Sequence, residues 1–336
     1  MLKIYKILFF NTMIMGTLIT ISAYSWFSMW IGLEINLLSI LPLFKSNNNL
    51  YPTESMLKYF ITQALASMMI LFTIIMSMNL NEFIPQNSNY WLMMIMNSAL
   101  FTKLGAAPFH FWFPEVMEGL NWVNSLLLLT WQKLAPMIII MYNLNMKWFI
   151  SFIIIISSIV GGLLGLNQIS LRKIMAYSSI NHMAWMLSSM MNFKMIWLIY
   201  FIIYSIMSLN IILIFKKLNI FFLKQLFLMI NYSKPLKILL IMNFFSLGGL
   251  PPFIGFFPKW LTIYNLIESN FYMLSFILII FTLITLFFYI RICFTSLTFN
   301  LKEPILLNSK LSNNFILMNF FILMSLIICI NLFQFL

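Results

Sequence analysis

Four charged residues lie deep within apolar segments of this chain. Lys103, Lys133, Lys259 and Glu34 each stand inside a long run of hydrophobic residues. An ionised side chain at the centre of a bilayer costs at least ~2.5–3.5 kcal/mol, and such residues usually mark paths for ions or protons. The sequence therefore predicts a membrane protein that moves charge, and these four residues are its first candidate functional groups.

The composition indicates that most of the chain is embedded in a membrane. Of 336 residues, 62% are hydrophobic and 8% are charged, whereas about a quarter of the residues in a soluble domain are charged. Apolar runs long enough to cross a bilayer recur from end to end. We predict an all-α multispanning membrane protein with about eleven transmembrane helices. The predicted spans are 4–23, 25–44, 55–79, 90–113, 122–143, 148–167, 172–191, 194–216, 236–267, 271–296 and 312–335.

The Lys and Arg residues behind the net charge of +12 are distributed unevenly, and their distribution predicts the orientation of the chain in the membrane. With the N-terminus inside, fourteen Lys and Arg residues fall on the inner side and only Lys147 and Lys194 on the outer side. Such a bias orients membrane proteins and argues against a nucleic-acid partner. An odd number of spans places the C-terminus outside. The two cysteines, Cys293 and Cys329, lie in apolar runs without metal-ligand spacing.

An internal repeat organises the predicted spans. The stretch GAAPFHFWFP at 105–114 matches GLPPFIGFFP at 249–258, and the offset of 144 residues also superposes the first span on the sixth. Five spans per unit require opposite orientations, so we predict inverted five-helix repeats at 1–143 and 148–296, and a loop with a last helix at 297–336. Prolines should break the fourth and ninth helices, and paired broken helices indicate a transporter-type site.

The buried charges suggest a protonation switch near the first break. Burial disfavours the charged form of a lysine, whereas a neighbouring carboxylate restores it. We therefore predict that Glu34 pairs with Lys103, and the alternative is a static pair that only joins two helices. Lys133 lies in the middle of its span, where the alternative is an amine that reaches towards water. Lys259 directly follows Pro258 in the second break.

The two histidines are weaker candidates. His110 follows the first break and His182 lies in the seventh span, so each could relay protons or serve a hydrogen-bonded structural role. Glu115 and Glu118 fit solvated charges at a helix end better than a catalytic pair. The sequence contains no recognisable motif for binding a nucleotide or an iron–sulfur cluster.

Five motifs together resemble one known family. WIGLEIN at 30–36, LGAAPFHFWFP at 104–114, TWQKLAP at 130–136, SLRKIMAYSSINH at 170–182 and GGLPPFIGFFPKW at 248–260 are similar to the NADH–ubiquinone oxidoreductase chain 2 family. Its members are antiporter-like membrane subunits of mitochondrial respiratory complex I. The resemblance covers roughly residues 10–295.

The resemblance implies a role for each buried charge and a place for the chain. Glu34 and Lys103 match the family's glutamate–lysine pair, Lys133 its central lysine and Lys259 the lysine of the second broken helix. It implies no redox cofactor in this chain, with NADH, FMN, iron–sulfur clusters and ubiquinone bound by other subunits. The implied partners are other membrane-arm subunits and lipids, including cardiolipin at the basic matrix side. The implied location is the mitochondrial inner membrane, with the N-terminus in the matrix and the C-terminus in the intermembrane space. A free-standing cation/proton antiporter and a non-conducting scaffold are the alternative functions.

Overall fold

The computed structural model describes residues 4–45, 50–80, 90–230 and 234–298, and these ranges contain fourteen α-helices and no β-strand. Two compact units divide the chain, Met1–Ile153 and Ile154–Leu336. The predicted last span, 312–335, lies outside the described residues.

The helices follow one another with short connections. In chain order they are α1 (Ile4–Ser22), α2 (Trp26–Phe44), α3 (Tyr51–Leu80), α4 (Tyr90–Leu104), α5 (Trp112–Gly119), α6 (Trp122–Leu129), α7 (Trp131–Tyr142), α8 (Lys147–Gly165), α9 (Leu171–Met190), α10 (Lys194–Leu218), α11 (Leu223–Ile230), α12 (Lys234–Gly248), α13 (Phe256–Glu268) and α14 (Tyr272–Thr298).

Seven helical stretches in the described residues are long and apolar enough to cross a membrane, which makes the chain a multi-pass membrane protein. They are Ile4–Ser22, Trp26–Phe44, Tyr51–Met78, Trp122–Tyr142, Lys147–Gly165, Lys194–Leu218 and Tyr272–Phe294. Helix α9 is absent from this set although it is buried along most of its length. Its polar residues, such as Asn181 and His182, are enclosed by protein. The low hydropathy of α9 therefore comes from side chains that other parts of the protein cover.

Two helices stop at glycines in the left-handed region of backbone space. Helix α4 ends before Gly105, whose φ is +72°, and α12 ends before Gly249, whose φ is +78°. At each end one carbonyl, that of Phe101 or Phe245, accepts hydrogen bonds from the next two free amides at 3.0–3.3 Å. Glycine is favoured there because any Cβ would be strained. The interruptions fall within the predicted fourth and ninth spans.

The backbone of α1 approaches that of α2 closely, and the backbone of α8 approaches that of α9 in the same way. A Cβ on Gly16 of α1 would lie 2.9 Å from the Asn36 amide nitrogen of α2. A Cβ on Gly161 of α8 would lie 2.8 Å from the Asn181 amide nitrogen of α9. Small residues allow helices in a membrane to pack at this distance. Within each unit, this packing sets the position of the helix that carries a candidate site residue, Glu34 or His182.

Candidate functional site

The three predicted lysines are buried in the protein. Lys103, in the last turn of α4, is 7% exposed, Lys133 of α7 is 1% exposed, and Lys259 of α13 is 6% exposed. Glu34 of α2 is half-buried, and its Oε1 atom is enclosed without a hydrogen-bond partner. A buried amine or carboxylate must be stabilised by polar neighbours or exist in its neutral form. The surroundings of each group therefore decide how it can act.

Lys103 borders a small cavity that has room for about one water molecule. Polar atoms of α2, α3 and α7 surround it, and a chain of hydrogen bonds connects them. Tyr59 donates to Gln132 Oε1 at 3.3 Å, and Gln132 Nε2 donates to Asn36 Oδ1 at 2.8 Å. The lining residues are Leu33, Asn36, Leu37, Tyr59, Gln63, Lys103, Gln132 and Pro136. This is a polar site inside an apolar unit, suited to holding a water beside an amine.

Glu34 and Lys103 interact across a gap. Glu34 is close enough to act electrostatically on Lys103, yet among the described residues no ion pair within 4.0 Å joins them. The two groups are therefore coupled through space in this structure and are not in direct contact. A bridging water or a rotation of the Lys103 side chain is needed to connect the two groups. Their electrostatic interaction can therefore be strengthened or weakened by a small movement.

Side chains other than lysine satisfy the carbonyls at the first break. Trp112 Nε1 donates to the Thr102 carbonyl at 2.9 Å, and Gln63 Nε2 donates to the Lys103 carbonyl at 3.4 Å. These carbonyls belong to the last turn of α4, beyond which no further helical turn supplies amides to them, although the Gly105 amide also donates to the Thr102 carbonyl at 3.2 Å. The Lys103 amine is thereby not required as a cap, and its Nζ makes no hydrogen bond within the described residues.

At the second break, a lysine satisfies the corresponding carbonyls. Lys259 Nζ donates to the Gly248 carbonyl at 2.9 Å and to the Leu247 carbonyl at 3.4 Å. Both carbonyls lie at the C-terminus of α12, the negative end of the helix dipole. An ammonium group is stabilised there, so the position of Lys259 is linked to the geometry of the break.

Lys133 is stabilised by a ring. Its Nζ lies 5.5 Å from the centroid of the Phe113 ring, in the range of a cation–π interaction. Phe113 belongs to α5, directly after the first break. With 1% exposure, Lys133 does not extend to solvent within its unit. The structure therefore does not show the alternative in which the Lys133 amine extends to water.

The two histidines have different surroundings. His110 Nδ1 lies 3.3 Å from the Pro108 carbonyl oxygen, and its ring stacks on Phe111 with centroids 4.5 Å apart. His182 Nδ1 is hydrogen-bonded to the Tyr200 hydroxyl at 2.9 Å, and the Tyr204 ring centroid lies 5.1 Å from that of His182. His110 thus has a local partner in the break, whereas His182 joins a buried group of tyrosines.

Glu115 is on the surface. Its Oε2 lies 3.0 Å from Lys58 Nζ, which is also 3.0 Å from Glu54, and all three side chains are substantially exposed. Solvent screens such pairs. This agrees with the interpretation of Glu115 as a solvated charge at a helix end. The described residues contain no cluster of three or more His, Cys, Asp or Glu side chains that could hold a metal ion.

Sequence reasoning missed several polar residues that build the sites. Gln63, Gln132 and Tyr59 surround Lys103, and Tyr289 is buried in α14. A signal was present for the two glutamines, since each is an isolated amide within an apolar span. No signal in the sequence shows that they converge on the same lysine, because they lie 69 positions apart on different helices.

A family profile and two relatives of high sequence identity indicate the class of membrane protein to which this chain is similar. Residues 23–285 match the family profile described as NADH:quinone oxidoreductase/Mrp antiporter, transmembrane. NADH–ubiquinone oxidoreductase chain 2 of Aedes aegypti is 50% identical over 321 residues, which cover 95% of this chain and 94% of the relative. The chain 2 protein of Anopheles gambiae is 49% identical over 317 residues, which cover 94% and 92%.

Solved structures share the fold. A chain of respiratory complex I from Thermus thermophilus with bound aureothin superposes with a TM-score of 0.86 at 19% identity, covering 96% of this chain and 78% of that one. A chain of the Mrp complex from Dietzia sp. gives a TM-score of 0.74 at 13% identity, covering 84% and 58%.

The fold and the family profile together define an antiporter-like membrane protein. Its buried lysines lie beside broken or polar helices, as described above. At 49–50% identity over nearly the whole length of its insect relatives, the chain belongs to the NADH–ubiquinone oxidoreductase chain 2 family. It is accordingly a subunit of the NADH:ubiquinone reductase complex and has its place in the mitochondrial inner membrane.

Replacing Gly249 should disturb Lys259. In Gly249→Ala, the new Cβ would lie 2.8 Å from the Lys259 Nζ and Cδ atoms, and φ of +78° is unfavourable for alanine by about 1–2 kcal/mol. We expect lower thermal stability of the assembled complex and slower proton pumping, measured by dye quenching in proteoliposomes.

The adjacent glycine provides a matched control for this variant. Gly248→Ala places its Cβ 3.4 Å or more from its neighbours, so that variant should behave like the wild type. Equal behaviour of both variants would contradict the link between Gly249 and the lysine.

Proposed function

We propose that this chain translocates protons as a core membrane-arm subunit of respiratory complex I, and that Glu34, Lys103, Lys133 and Lys259 carry the charge. The observation that supports this most directly is the burial of three lysines to 7% exposure or less. Two of them, Lys103 and Lys259, have no carboxylate within 4.0 Å in the described residues. Fixed structural cations are normally neutralised by a contacting anion. Amines that lack one are suited to gain and lose a proton.

The first exchange site is the polar cavity beside Lys103. The carboxylate of Glu34 favours the ammonium form of Lys103, and the cavity has room for the water that would link them. Glu34 Oε1 is enclosed without a hydrogen-bond partner in this structure, so after Lys103 passes its proton on, the negative charge of Glu34 would favour reprotonation of the amine. The hydrogen-bonded chain of Tyr59, Gln132 and Asn36 would hold that water in place.

The second break would couple protonation to backbone geometry. A protonated Lys259 stabilises the C-terminus of α12 through its two carbonyl contacts, and a neutral amine does so less strongly. Proton loss at Lys259 would therefore loosen the break. The path runs in chain order from Glu34 and Lys103 through Lys133 to Lys259, with water between the last two and with His110 and His182 as further relay groups. Moving one charge across 100 mV costs ~2.3 kcal/mol, which electrostatic coupling to neighbouring subunits would supply.

The proposed architecture has eleven spans, the inverted repeats 1–143 and 148–296, and a C-terminal helix in 297–336. The ends of the interrupted helices support the repeat, since α4 ends at Leu104 and α12 ends at Gly248, 144 positions apart. Helices α5 and α13 also begin 144 positions apart. The N-terminus would face the matrix and the C-terminus the intermembrane space.

Redox chemistry is assigned to the rest of the complex. NADH, FMN, iron–sulfur clusters and ubiquinone would be bound by other subunits, and this chain would contact membrane-arm subunits and lipids. A free-standing antiporter is a weaker alternative, because the relatives of 49–50% identity are named complex I chain 2, whereas the likeness to an Mrp complex at 13% identity concerns the fold.

Glu34→Gln tests the switch against the static pair. The variant keeps the size and polarity of the side chain but removes the charge that acts on Lys103. We expect an assembled complex that oxidises NADH but transfers protons through this subunit roughly 10²-fold more slowly. The measurement compares the initial rate of acidification of proteoliposomes with the rate of NADH oxidation.

Glu268→Gln makes the same chemical change at an exposed carboxylate and should leave both rates unchanged. If Glu34→Gln lowers only the amount of assembled complex, with unchanged pumping per complex, the pair is static and the switch is rejected.

A further inference from the structure

Two asparagines of the first unit meet where α7 ends. Asn97 lies in the middle of α4, and Asn143 directly follows the last residue of α7. The side-chain nitrogen Nδ2 of Asn97 donates to the backbone carbonyl of Asn143 at 3.3 Å. The last carbonyls of a helix have no helical amide to bind, so Asn97 supplies a donor that the end of α7 needs. Helix α4 is thereby attached to the end of α7.

The orientation of both side-chain amides follows from what their nitrogens contact. Asn143 Nδ2 donates to Met96 Sδ at 3.3 Å, and a reversed amide would place an oxygen against that sulfur. Reversal of Asn97 would likewise place its side-chain oxygen against the carbonyl oxygen of Asn143. Two acceptors repel each other, so the hydrogen-bond network assigns both amides. The side-chain atoms that are left are therefore two acceptors, Asn97 Oδ1 and Asn143 Oδ1.

These two oxygens are enclosed without a hydrogen bond. Asn97 and Asn143 are exposed by 1% or less, and neither oxygen has a partner among the described residues. A buried acceptor without a donor is costly, and native proteins rarely leave one unsatisfied. Because protein covers both atoms, a side chain of another subunit does not reach them. A small molecule that donates hydrogen bonds meets this requirement.

We infer that an ordered water molecule binds at this position and donates one hydrogen bond to each amide oxygen. Water has two donors, which match the two acceptors, and buried waters typically bind polar groups that the protein leaves unsatisfied. A hard metal ion takes about six oxygen ligands, which two amide oxygens do not provide. Neither asparagine lines the cavity beside Lys103, so this water is separate from the proposed exchange site.

The water connects the two helices that carry the lysines of the first unit. Asn97 and Lys103 are six residues apart on α4, and Lys133 and Asn143 are ten residues apart along α7 and its end. At ~1.5 Å per residue, the connection lies roughly 9 Å and 15 Å along the helices from the two lysines. Water binding here does not require that the lysines transfer protons, so its test is independent of the proposed function.

A cryo-EM map of the intact complex, at a resolution that shows ordered water, tests this site. We expect a density about 2.5–3.0 Å from both amide oxygens. A density with about six oxygen ligands would be a metal ion and would overturn the proposal. Absence of density at both oxygens, in a map that shows water elsewhere in this chain, would also overturn it.

The variant Asn143→Leu tests whether the side chain of Asn143 is a ligand of this water. The direct hydrogen bond from Asn97 ends at the backbone of residue 143, so it can persist when the side chain changes. We expect the water density to be lost, because one of its two acceptors is removed and an apolar side chain takes its place.

The variant Asn124→Leu is the matched control. Asn124 Nδ2 also donates to a backbone carbonyl, that of Leu43, at 3.0 Å, so the chemical change is the same. This variant should keep the water density between Asn97 and Asn143. Unchanged density in Asn143→Leu would overturn the proposal, and the wild-type map decides the question where a variant fails to assemble.

Discussion

Complex carrying Lys133→Met in this chain is expected to assemble and to lose proton transfer through the subunit by roughly 10²-fold or more. Lys133 is 1% exposed, and its amine faces the Phe113 ring. Methionine has a similar length and is apolar, so it fills the site without a charge to desolvate. We expect the thermal midpoint to change little, because the side-chain volume at the site is kept. A loss of pumping without a loss of stability would separate conduction from packing.

The measurement combines the thermal midpoint of the purified complex with the number of protons pumped per NADH oxidised. Lys147→Met provides the control, since Lys147 is exposed at the start of α8. Normal pumping by a stable Lys133→Met complex would favour the alternative in which the chain is a non-conducting scaffold.

Gly255→Ala is expected to have the largest structural effect of any small substitution in the second unit. A Cβ at Gly255 would lie 1.7 Å from the Ser246 carbonyl oxygen and 3.1 Å from the Met207 sulfur. The sulfur could move, but the carbonyl belongs to the backbone of α12, so the two halves of the break must separate. Overpacking of this kind costs roughly 1–3 kcal/mol, and the shift would also displace the carbonyls that Lys259 contacts.

Assembly of Gly255→Ala complex should fall, as measured by the amount of intact complex on native gels and by its thermal midpoint. Gly248→Ala again serves as the control, since its Cβ would meet Leu286 at an ordinary 3.4 Å. Wild-type assembly and stability of Gly255→Ala would show that the break is more adaptable than its packing indicates.

The two breaks differ in which side chains satisfy their carbonyls. At the first break, Trp112 and Gln63 donate to the last turn of α4, and the Lys103 amine is available for exchange with the cavity. At the second, the Lys259 amine itself donates to α12. We infer that protonation of Lys103 is coupled mainly to Glu34, whereas protonation of Lys259 is coupled mainly to helix geometry.

Much of the fold could be predicted from local sequence because the bilayer imposes few solutions. Apolar runs of span length must be helical, and Gly105 and Gly249 mark helix ends through their backbone freedom. Helix α9 lies in the predicted span 172–191, although it is not among the seven helices that are long and apolar enough by hydropathy to cross a membrane. The pairing of Glu34 with Lys103 stays a prediction: the two groups interact electrostatically without an ion pair within 4.0 Å in the described residues, and the sequence does not give the distance between side chains on different helices.

The sequence by itself determined that this chain is an α-helical membrane protein with three lysines and a glutamate held within its spans, since charge and hydropathy are properties of single residues. Only the tertiary structure decided what each of these groups meets. Gln63 and Gln132 converge on Lys103 from separate helices, Phe113 faces Lys133, and the α12 carbonyls face Lys259. The physical reason is that hydrogen bonds and ion pairs depend on distances of a few ångströms, and packing between helices sets those distances.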